Sequence, residues 1–307
     1  MKYSDNALKI WAAKEKGIIK SNAQFWTGFY SLKEMERFDF GDILPSEIVG
    51  HFMQQYTDGD EGVICVFDDE FPCINPKVKN SDKPYLLFYK GDISLLQNLN
   101  KNIAVIGHTD PTDDVKNREI EALKQLVDEN VVIVSGLAKG CDAIAHQFCV
   151  NTQNKTIAIL PTQINKIYPA SNRSLAKGIV SNGGLLLSEY YKEPEKKQEA
   201  LGRYVERDRL QAMFSKAVVL IASYRKNDGD SGSRHAMEAA KNYGHARFAL
   251  YNEKSDCDDL QFGLNKDYLA ESVKILQKST IDVIRALVNP NLIKQPYIEP
   301  PTQLTLM

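Results

Sequence analysis

Residues 131–160 read VVIVSGLAKGCDAIAHQFCVNTQNKTIAIL, and this stretch decides the fold class. It opens with the continuous apolar run 131–134 and closes with a second run at 156–160. Between them, residues 142–150 have the length and spacing of a helix. Continuous apolar strands that alternate with helices are typical of a parallel sheet covered on both faces. The stretch therefore predicts an α/β protein.

The same alternation continues on both sides of this stretch. Further apolar runs occur at 103–106, 185–187, 217–221 and, more weakly, 246–250, and helix-length stretches lie at 113–129, 172–181, 203–214 and 234–243. Right-handed crossovers place every strand-to-helix loop at one edge of such a sheet, where open α/β sheets bind their ligands. We therefore predict a Rossmann-like, doubly wound and mostly parallel sheet.

The pattern divides the chain into three parts. Residues 1–60 are predicted to form a small N-terminal helical region, because Ala7, Leu8 and Trp11 recur at helical spacing. Two strand-like runs, at 63–67 and 85–89, lead into the Rossmann-like domain, which we place at 61–279. From 280 onward we expect one helix at 281–288 and then an extended, proline-rich tail.

Bulk composition limits the partners and the cellular location. The formal net charge is −2, so a nucleic-acid site would have to be a local basic patch. No apolar run approaches the roughly 20 residues that span a bilayer, and the N-terminus lacks an apolar signal core. Five cysteines without a CxxC pair and scattered histidines predict free thiols and no metal centre. We expect a cytoplasmic protein without a membrane partner.

Glycine and serine are concentrated in the loops that follow the predicted strands. Glycine lets backbone approach a ligand closely, and a helix N-terminus offers unpaired N–H groups to an anion, above all phosphate. In the alternative interpretation, such a turn only caps the helix that follows it. The candidate contact residues in these loops are Gly107, His108, Ser135, Gly136, Lys139, Asn172, Arg173, Ser231, Gly232, Ser233 and Arg234.

The segment 203–234 carries more Lys and Arg than Asp and Glu. We expect Arg207-Asp208-Arg209 near the start of a helix, where the helix dipole disfavours cations. Arginines placed there suggest a negatively charged partner, although a salt-bridged helix face is the alternative.

Several enzyme classes lack sequence support. Neither GxGxxG nor GxxxxGK[ST] is present, so dinucleotide binding and ATP hydrolysis are not indicated. Histidines 108, 146 and 235 and serines 135, 231 and 233 show no spacing that fixes a nucleophile, a base and an orienting group. We expect no catalytic residue and no cofactor.

Residues 102–250 resemble the DNA processing protein A family (DprA, also called Smf). The stretches that carry the resemblance are IAVIG at 103–107, VVIVSGLAKGCDAIAHQ at 131–147, TIAILPTQINKIYPASNRSL at 156–175, GGLLLSEY at 183–190, ERDRLQAMFSKAVVLIAS at 206–223 and DSGSRHAMEAAKNYG at 230–244. Upstream, FDDEFPCI at 67–74 and PYLLFYKGD at 84–92 are similar to the entry into that family's domain. SGLAKG, with Asp142 and His146 after it, is the most specific piece.

The resemblance implies an extended Rossmann-like domain that binds single-stranded DNA, hands it to a RecA-type recombinase in DNA uptake or recombination, often dimerises and has no enzymatic activity. In that case Lys139, Arg173, Arg207 and Arg209 contact phosphates, while Gly107 and 231–233 supply backbone amides. Three features differ from the family pattern. Gly107-His108-Thr109 lacks the usual arginine, Asp208 replaces an asparagine, and Arg234-His235-Ala236 replaces a threonine-alanine pattern. No winged-helix domain is recognisable after residue 280.

Two further hypotheses stay open. Residues 303–307, QLTLM, resemble the short peptides that dock on a bacterial sliding clamp. The main functional alternative is a protein that binds or hydrolyses a small nucleotide, and a protein-interaction scaffold with vestigial loops is the other.

Overall fold

The computed structural model describes residues 2–29, 50, 59–127, 131–229, 232–271 and 273–287. Its strands are β1 Glu61–Cys65, β2 Leu86–Gly91, β3 Asn102–Ile106, β4 Val132–Ser135, β5 Thr156–Ile159, β6 Leu185–Ser188, β7 Ala217–Leu220, β8 Ala246–Ala249 and β9 Lys274–Ile275. They form one sheet in the order β1-β2-β6-β5-β4-β3-β7-β8-β9. β2 is antiparallel to β1 and β6, and the other neighbours are parallel.

Helices cover both faces of this sheet. They are α1 Asp5–Glu15, α2 Asn22–Gln24, α3 Asp113–Leu126, α4 Cys141–Asn151, α5 Arg173–Ser181, α6 Lys197–Met213, α7 Ser233–Tyr243, α8 Glu253–Asp256, α9 Gly263–Leu269 and α10 Lys278–Leu287. Helices α6 and α7 pack on one face with Ala104 and Ile106 of β3, and α3 and α4 pack on the other with Ile103 and Val105. The predicted Rossmann-like α/β fold is confirmed.

Local signals set the ends of the helices that flank the central strands. Helix α3 begins after Thr112, whose side chain accepts a hydrogen bond from Val115 N, and Asp113 and Asp114 complement the dipole in its first turn. Helix α7 ends at Gly244, which has φ +74° in the left-handed region where glycine is favoured. The chain can therefore turn directly from α7 into β8.

The N-terminal helix α1 packs on the antiparallel end of the sheet. The Trp11 ring lies 4.9 Å from the Phe88 ring and 5.5 Å from the Tyr191 ring, centroid to centroid. The division of the chain at residues 60 and 280 stays a prediction. Parts of the predicted helical region, at 30–49 and 51–58, lie outside the described residues, as does the tail 288–307 with the clamp-like peptide 303–307.

Three features of the structure differ from the sequence prediction. Helix α6 begins at Lys197, six residues before the expected start at Arg203. Arg207-Asp208-Arg209 therefore lies in the second half of a 17-residue helix, and its predicted position near a helix N-terminus is wrong. Strand β9 and the short helices α8 and α9 were not predicted.

Within the part of the chain that the structure describes, Glu119 is a buried carboxyl group without a charged partner. Glu119 on α3 is fully buried. Burial holds the pKa of its carboxyl group well above the ordinary value, although hydrogen bonding by the Cys141 thiol opposes this shift. The folded protein therefore keeps a proton on Glu119 at pH values where the unfolded chain has released it.

We expect this proton to make stability fall as pH rises. Below the unfolded pKa of 4.5, protonated Glu119 makes its full contribution to the free energy of unfolding. That contribution is lost as the pH rises toward the raised pKa of the folded protein. Its slope is about 1.4 kcal/mol per pH unit. Glu119→Gln removes this slope, so above about pH 4.5 the free energy of unfolding by urea falls less with rising pH in the variant than in the parent. The control is Glu121→Gln, on the exposed side of α3. Identical pH profiles for the parent and Glu119→Gln would contradict the assignment.

Candidate nucleic-acid interface

A cleft of about 560 Å³ opens at the carboxyl edge of the sheet. We call it the carboxyl-edge cleft. Its walls come from the loops after β3, β4, β5 and β7 and from one side of α6. The residues that line it are Thr109, Gly136, Ala138, Lys139, Pro161, Tyr168, Pro169, Leu201, Tyr204, Val205, Arg207, Asp208, Gly232, Arg234 and His235. The loops that the sequence singled out therefore meet at one place.

Arg207 anchors the base of this cleft and is itself buried, with 6% of its surface exposed. Its Nη1 donates to the carbonyl oxygens of Gly136, in the loop after β4, and of Ile159, at the end of β5, the latter at 3.2 Å. Its Nε lies 2.9 Å from Asp208 Oδ1, and its Nη1 lies 4.0 Å from Asp142 Oδ2. The Arg207 guanidinium, which the sequence predicted to contact phosphate, is thus bonded to groups of the protein itself.

Gly136 is a glycine because the Arg207 guanidinium occupies the space beside it. A Cβ atom on Gly136 would lie 1.6 Å from Arg207 Nη1 and 2.6 Å from Gln211 Nε2. The sequence interpretation assigned this glycine to close approach by a ligand. The structure shows that it accommodates a side chain of the protein, which fixes the loop against α6.

Polar side chains hold the rest of the loop after β4. Asn172 Nδ2 donates to Leu137 O at 2.9 Å and to Ala138 O at 3.0 Å, and Asp142 Oδ2 accepts from Ala138 N at 3.3 Å. Asn172 is buried, so its predicted role as a DNA contact is replaced by a role in positioning the loop. Lys139 follows this fixed segment and is exposed.

The loop after β3 packs against the same segment. A Cβ on Gly107 would lie 2.5 Å from Cys141 Sγ, and Gly140 has φ +70° with the His108 carbonyl oxygen 2.4 Å from its ideal Cβ position. The His108 side chain is buried, its ring lies 5.1 Å from that of Tyr224, and burial lowers its pKa. His108 is not among the residues that line the cleft, although the sequence analysis selected it as a candidate contact residue.

Ser135 and His146 also point inward. The Ser135 hydroxyl is buried and donates to Val105 O at 2.7 Å. His146 Nδ1 lies 2.7 Å from Thr156 Oγ1, and burial, together with the nearby Arg207 charge, lowers the pKa of its ring to about 3. Both side chains support the loops from below.

The loop after β7 reaches the cleft through the start of α7. Gly232 adopts φ +97°, and its ideal Cβ position is 3.3 Å from Asp208 Oδ2. Ser233 is buried as the first residue of α7, whereas Arg234 and His235 lie on the cleft wall. Ser231 lies outside the described residues.

Arg209 belongs to a different part of the surface. It contributes to a second cleft, on the other side of α6, together with Lys14 and Tyr85. Its Nη2 lies 2.8 Å from Glu189 Oε2, and its Nε donates to Asp82 O at 2.9 Å. Arg209 therefore joins α6 to the end of β6 and does not share the carboxyl-edge cleft with Lys139.

The accessible surface of the cleft combines a free cation, Lys139, with exposed aromatic and apolar groups, and Arg173 follows Asn172 just outside the lining. Lys139 and Arg173 are exposed, and within the described chain neither side chain forms an ion pair or a hydrogen bond. Tyr168 is 60% exposed, and its ring centroid lies 6.5 Å from that of Tyr204. Sequence reasoning did not select these tyrosines, because an isolated aromatic residue in a loop or helix carries no distinguishing pattern.

A sequence model of the family described as DNA recombination-mediator protein A matches residues 62–281. The chain belongs to this family. Protein Smf from a Synechocystis species is 28% identical over 209 residues, which are 65% of this chain and 51% of that protein. The chain thus spans about half of the length of this family relative.

Two solved structures of family proteins are similar over most of the chain. DNA processing protein A from Streptococcus pneumoniae is 26% identical with a TM-score of 0.70, and the match covers 92% of this chain and 98% of that one. The Helicobacter pylori protein, described for its single-stranded DNA binding mode, is 27% identical with a TM-score of 0.60 and coverages of 74% and 95%.

Two further properties concern the described ranges only. No helix there combines the length and the apolar character needed to cross a membrane. No group of three or more His, Cys, Asp and Glu side chains in these ranges could hold a metal ion.

We expect Gly136→Ala to destabilise the protein by about 2–3 kcal/mol, because the added methyl group displaces the buried Arg207 guanidinium. Gly202→Ala is the matched control: this residue lies inside α6, and apart from its chain neighbours and the backbone of its own helix no described atom lies within 4 Å of its ideal Cβ position. There the same change adds about 0.5–1 kcal/mol of stability. Urea unfolding of the two variants tests the packing, and equal effects would contradict it.

Proposed function

We propose that the carboxyl-edge cleft binds single-stranded DNA. The observation that carries the proposal is the pairing of two free cationic side chains, Lys139 and Arg173, with the exposed rings of Tyr168 and Tyr204. Proteins that bind single strands combine cations that follow the backbone with aromatic groups on which bases stack. The structure described for single-stranded DNA binding in the Helicobacter pylori family member supports this proposal.

The phosphates would follow a track that leads out of the cleft along α5. Asn172 bonds directly to the loop that carries Lys139, so Arg173 lies next to that loop. Lys177 follows one turn later on α5, is exposed, and forms no ion pair in the described chain. Arg173 is the first residue of α5, where the helix dipole favours an anion. Three cations and a helix N-terminus thus lie along one path.

The bases would pack on the aromatic and apolar part of the cleft. Leu201 is 59% exposed and Val205 is 44% exposed, and both lie on the side of α6 that carries Tyr204. Every base has an apolar face, so stacking here tolerates any sequence. We infer binding without strong sequence preference, because the cleft offers ring faces and few fixed hydrogen-bond donors for base edges.

We propose a binding role without catalysis for this cleft. The hydroxyl of Ser135 is committed to Val105 O, and the rings of His108 and His146 are buried beneath the loops. A nucleophile needs a base held against it at a reactive surface. Among the described candidates, His235 alone lines the cleft, and the Ser135 and Ser233 side chains are buried, so neither hydroxyl is held against it at the surface.

The wider biological role extends this proposal. We infer a cytoplasmic protein that protects single strands and hands them to a RecA-type recombinase during DNA uptake or recombination. A homodimer and a sliding clamp bound through residues 303–307 are further proposed partners; that peptide lies outside the described residues.

We expect Lys139→Gln and Arg173→Gln each to weaken oligo(dT) binding and to flatten its salt dependence. Each lost phosphate contact reduces the slope of log K against log salt by about 0.7 for a single strand. Filter binding across a salt series measures both quantities. The matched control is Lys9→Gln, an exposed lysine on α1, which should leave the slope unchanged.

Two results would contradict the proposal. Unchanged slopes in both variants would place the DNA elsewhere on the protein. Displacement of oligo(dT) by an equal concentration of dTMP would instead support the alternative function, a small-nucleotide site in the carboxyl-edge cleft.

A further inference from the structure

A third cleft, of about 440 Å³, lies at the opposite edge of the sheet. We call it the amino-edge cleft. It is formed by residues 73–77, by the turn 97–100 before β3, by the chain entering β7 and by the turn from α7 into β8. Its lining residues are Cys73, Ile74, Asn75, Pro76, Lys77, Gln97, Asn98, Leu99, Asn100, Met213, Ser215, Lys216, Tyr243, Gly244 and His245. The five-residue strand β3 separates the two clefts by about 16 Å at the strand rise of 3.3 Å per residue.

The amino-edge cleft has positively charged side chains in its lining and no negatively charged ones. Its lining residues, all within the described ranges, include two lysines and no Asp or Glu, although the whole chain carries a net charge of −2. Neither Lys77 nor Lys216 pairs its ammonium group with another group of the described chain. Lys77 Nζ is 3.1 Å from the ideal Cβ position of Gly244, and both lysine charges act on the adjacent His245 ring. The two cations therefore converge on one turn.

The floor of the cleft is held rigid by hydrogen bonds. Asn75 Nδ2 donates to Tyr243 O at 2.9 Å and lies 3.1 Å from His245 Nε2. His245 Nδ1 lies 3.0 Å from Ala212 O, so Nδ1 carries the proton and Nε2 accepts from Asn75. Burial lowers the pKa of this ring, and the Lys216 and Lys77 charges add to the shift. A neutral ring thus ties the 73–77 segment to the start of β8.

The remaining surface offers both polar and apolar contacts. The side-chain amides of Gln97, Asn98 and Asn100 form no hydrogen bond within the described chain. Leu99, which is half-buried, supplies apolar surface beside them. A volume of 440 Å³ falls within the range of small-molecule sites, which is about 300–1,000 Å³.

We propose that the amino-edge cleft binds a phosphate monoester of nucleotide size. Lys77 and Lys216 hold the phosphate as compact point charges. The free amides are placed to bond the edge of a base or a sugar, while the apolar surface covers a ring. The ligand is either a free nucleotide or the terminal phosphate of a nucleic-acid strand, since both present the same group.

A simpler role for the two lysines predicts a different outcome. Lys216 follows the C-terminus of α6, and Lys77 lies beside the C-terminus of α7, where cations stabilise the helix dipole. In that case, removal of either charge lowers the melting temperature without any effect on a ligand. The experiment therefore measures ligand binding at the cleft itself.

Cys73 provides a local probe, and Cys257 provides its internal control. Both thiols are free and exposed, and only Cys73 lines the amino-edge cleft. We expect dTMP to slow alkylation of Cys73 by iodoacetamide at least fivefold, read by mass spectrometry of the peptides, and to leave Cys257 unchanged. Thymidine, which lacks the phosphate, should protect neither thiol. Equal protection by thymidine, no protection by dTMP, or equal slowing at both cysteines would overturn the proposal.

Variants test the two cations directly. Lys77→Gln and Lys216→Gln should each raise the dTMP concentration needed for protection about tenfold, which corresponds to one lost charged hydrogen bond. Lys216→Arg should retain binding, and Lys254→Gln, at the opposite edge, should have no effect. Gln variants that melt earlier but bind dTMP as the parent does would overturn the proposal in favour of the dipole role.

Two further measurements of Cys73 protection distinguish the two possible ligands and show whether the two clefts act independently. Protection of Cys73 by 5′-phosphorylated oligo(dT) at lower concentration than dTMP assigns the site to strand ends, and the reverse order assigns it to free nucleotides. Either order supports a phosphate monoester site. Because the inference does not depend on the carboxyl-edge cleft, Lys139→Gln should leave dTMP protection of Cys73 unchanged, and a loss of protection would overturn it.

Discussion

The carboxyl-edge cleft depends on the hydrogen bonds and the ion pair of the buried Arg207 guanidinium. Removing a cation from water is costly unless hydrogen bonds and opposite charges surround it. Here the Gly136 and Ile159 carbonyl oxygens and the Asp208 carboxylate meet that requirement. The guanidinium therefore binds the loop after β4, the end of β5 and helix α6 into one unit. Because the Arg207 guanidinium fills the space where a Cβ atom would lie, position 136 is restricted to glycine.

Burial also decides which cations remain available to a ligand. Arg207 and Arg209 are both engaged inside the protein, on opposite sides of α6, so neither offers a free charge to phosphate. Lys139 and Arg173 lie outside these networks, on segments that Asn172 and Asp142 hold in place. A surface with net negative charge can thus keep a small, fixed group of cations at one edge of the sheet.

Much of the fold could be predicted from the sequence, because the central strands are continuous apolar runs with helix-length stretches between them. The start of α6 could not, since residues 197–202, KQEALG, contain a single large apolar residue and so show no apolar period. The predicted loops do lie together at one edge of the sheet, but several of their residues make packing contacts that the sequence did not indicate. Gly136 and Gly107 make room for Arg207 and Cys141, contacts across about 70 and 30 residues of chain that local pattern does not encode. Tyr168 and Tyr204 could not be predicted either, because an isolated aromatic residue in a loop or helix has no distinguishing sequence pattern.

Photo-crosslinking tests the central claim most directly. Oligo(dT) that carries 5-iodouracil is irradiated in complex with the full chain, and the crosslinked peptides are identified by mass spectrometry. A strand in the carboxyl-edge cleft stacks its bases on Tyr168 and Tyr204, so crosslinks are expected at these two residues. Crosslinks confined to Tyr85 and Tyr190, in the cleft of Arg209, or to the amino edge at Tyr243 would contradict it.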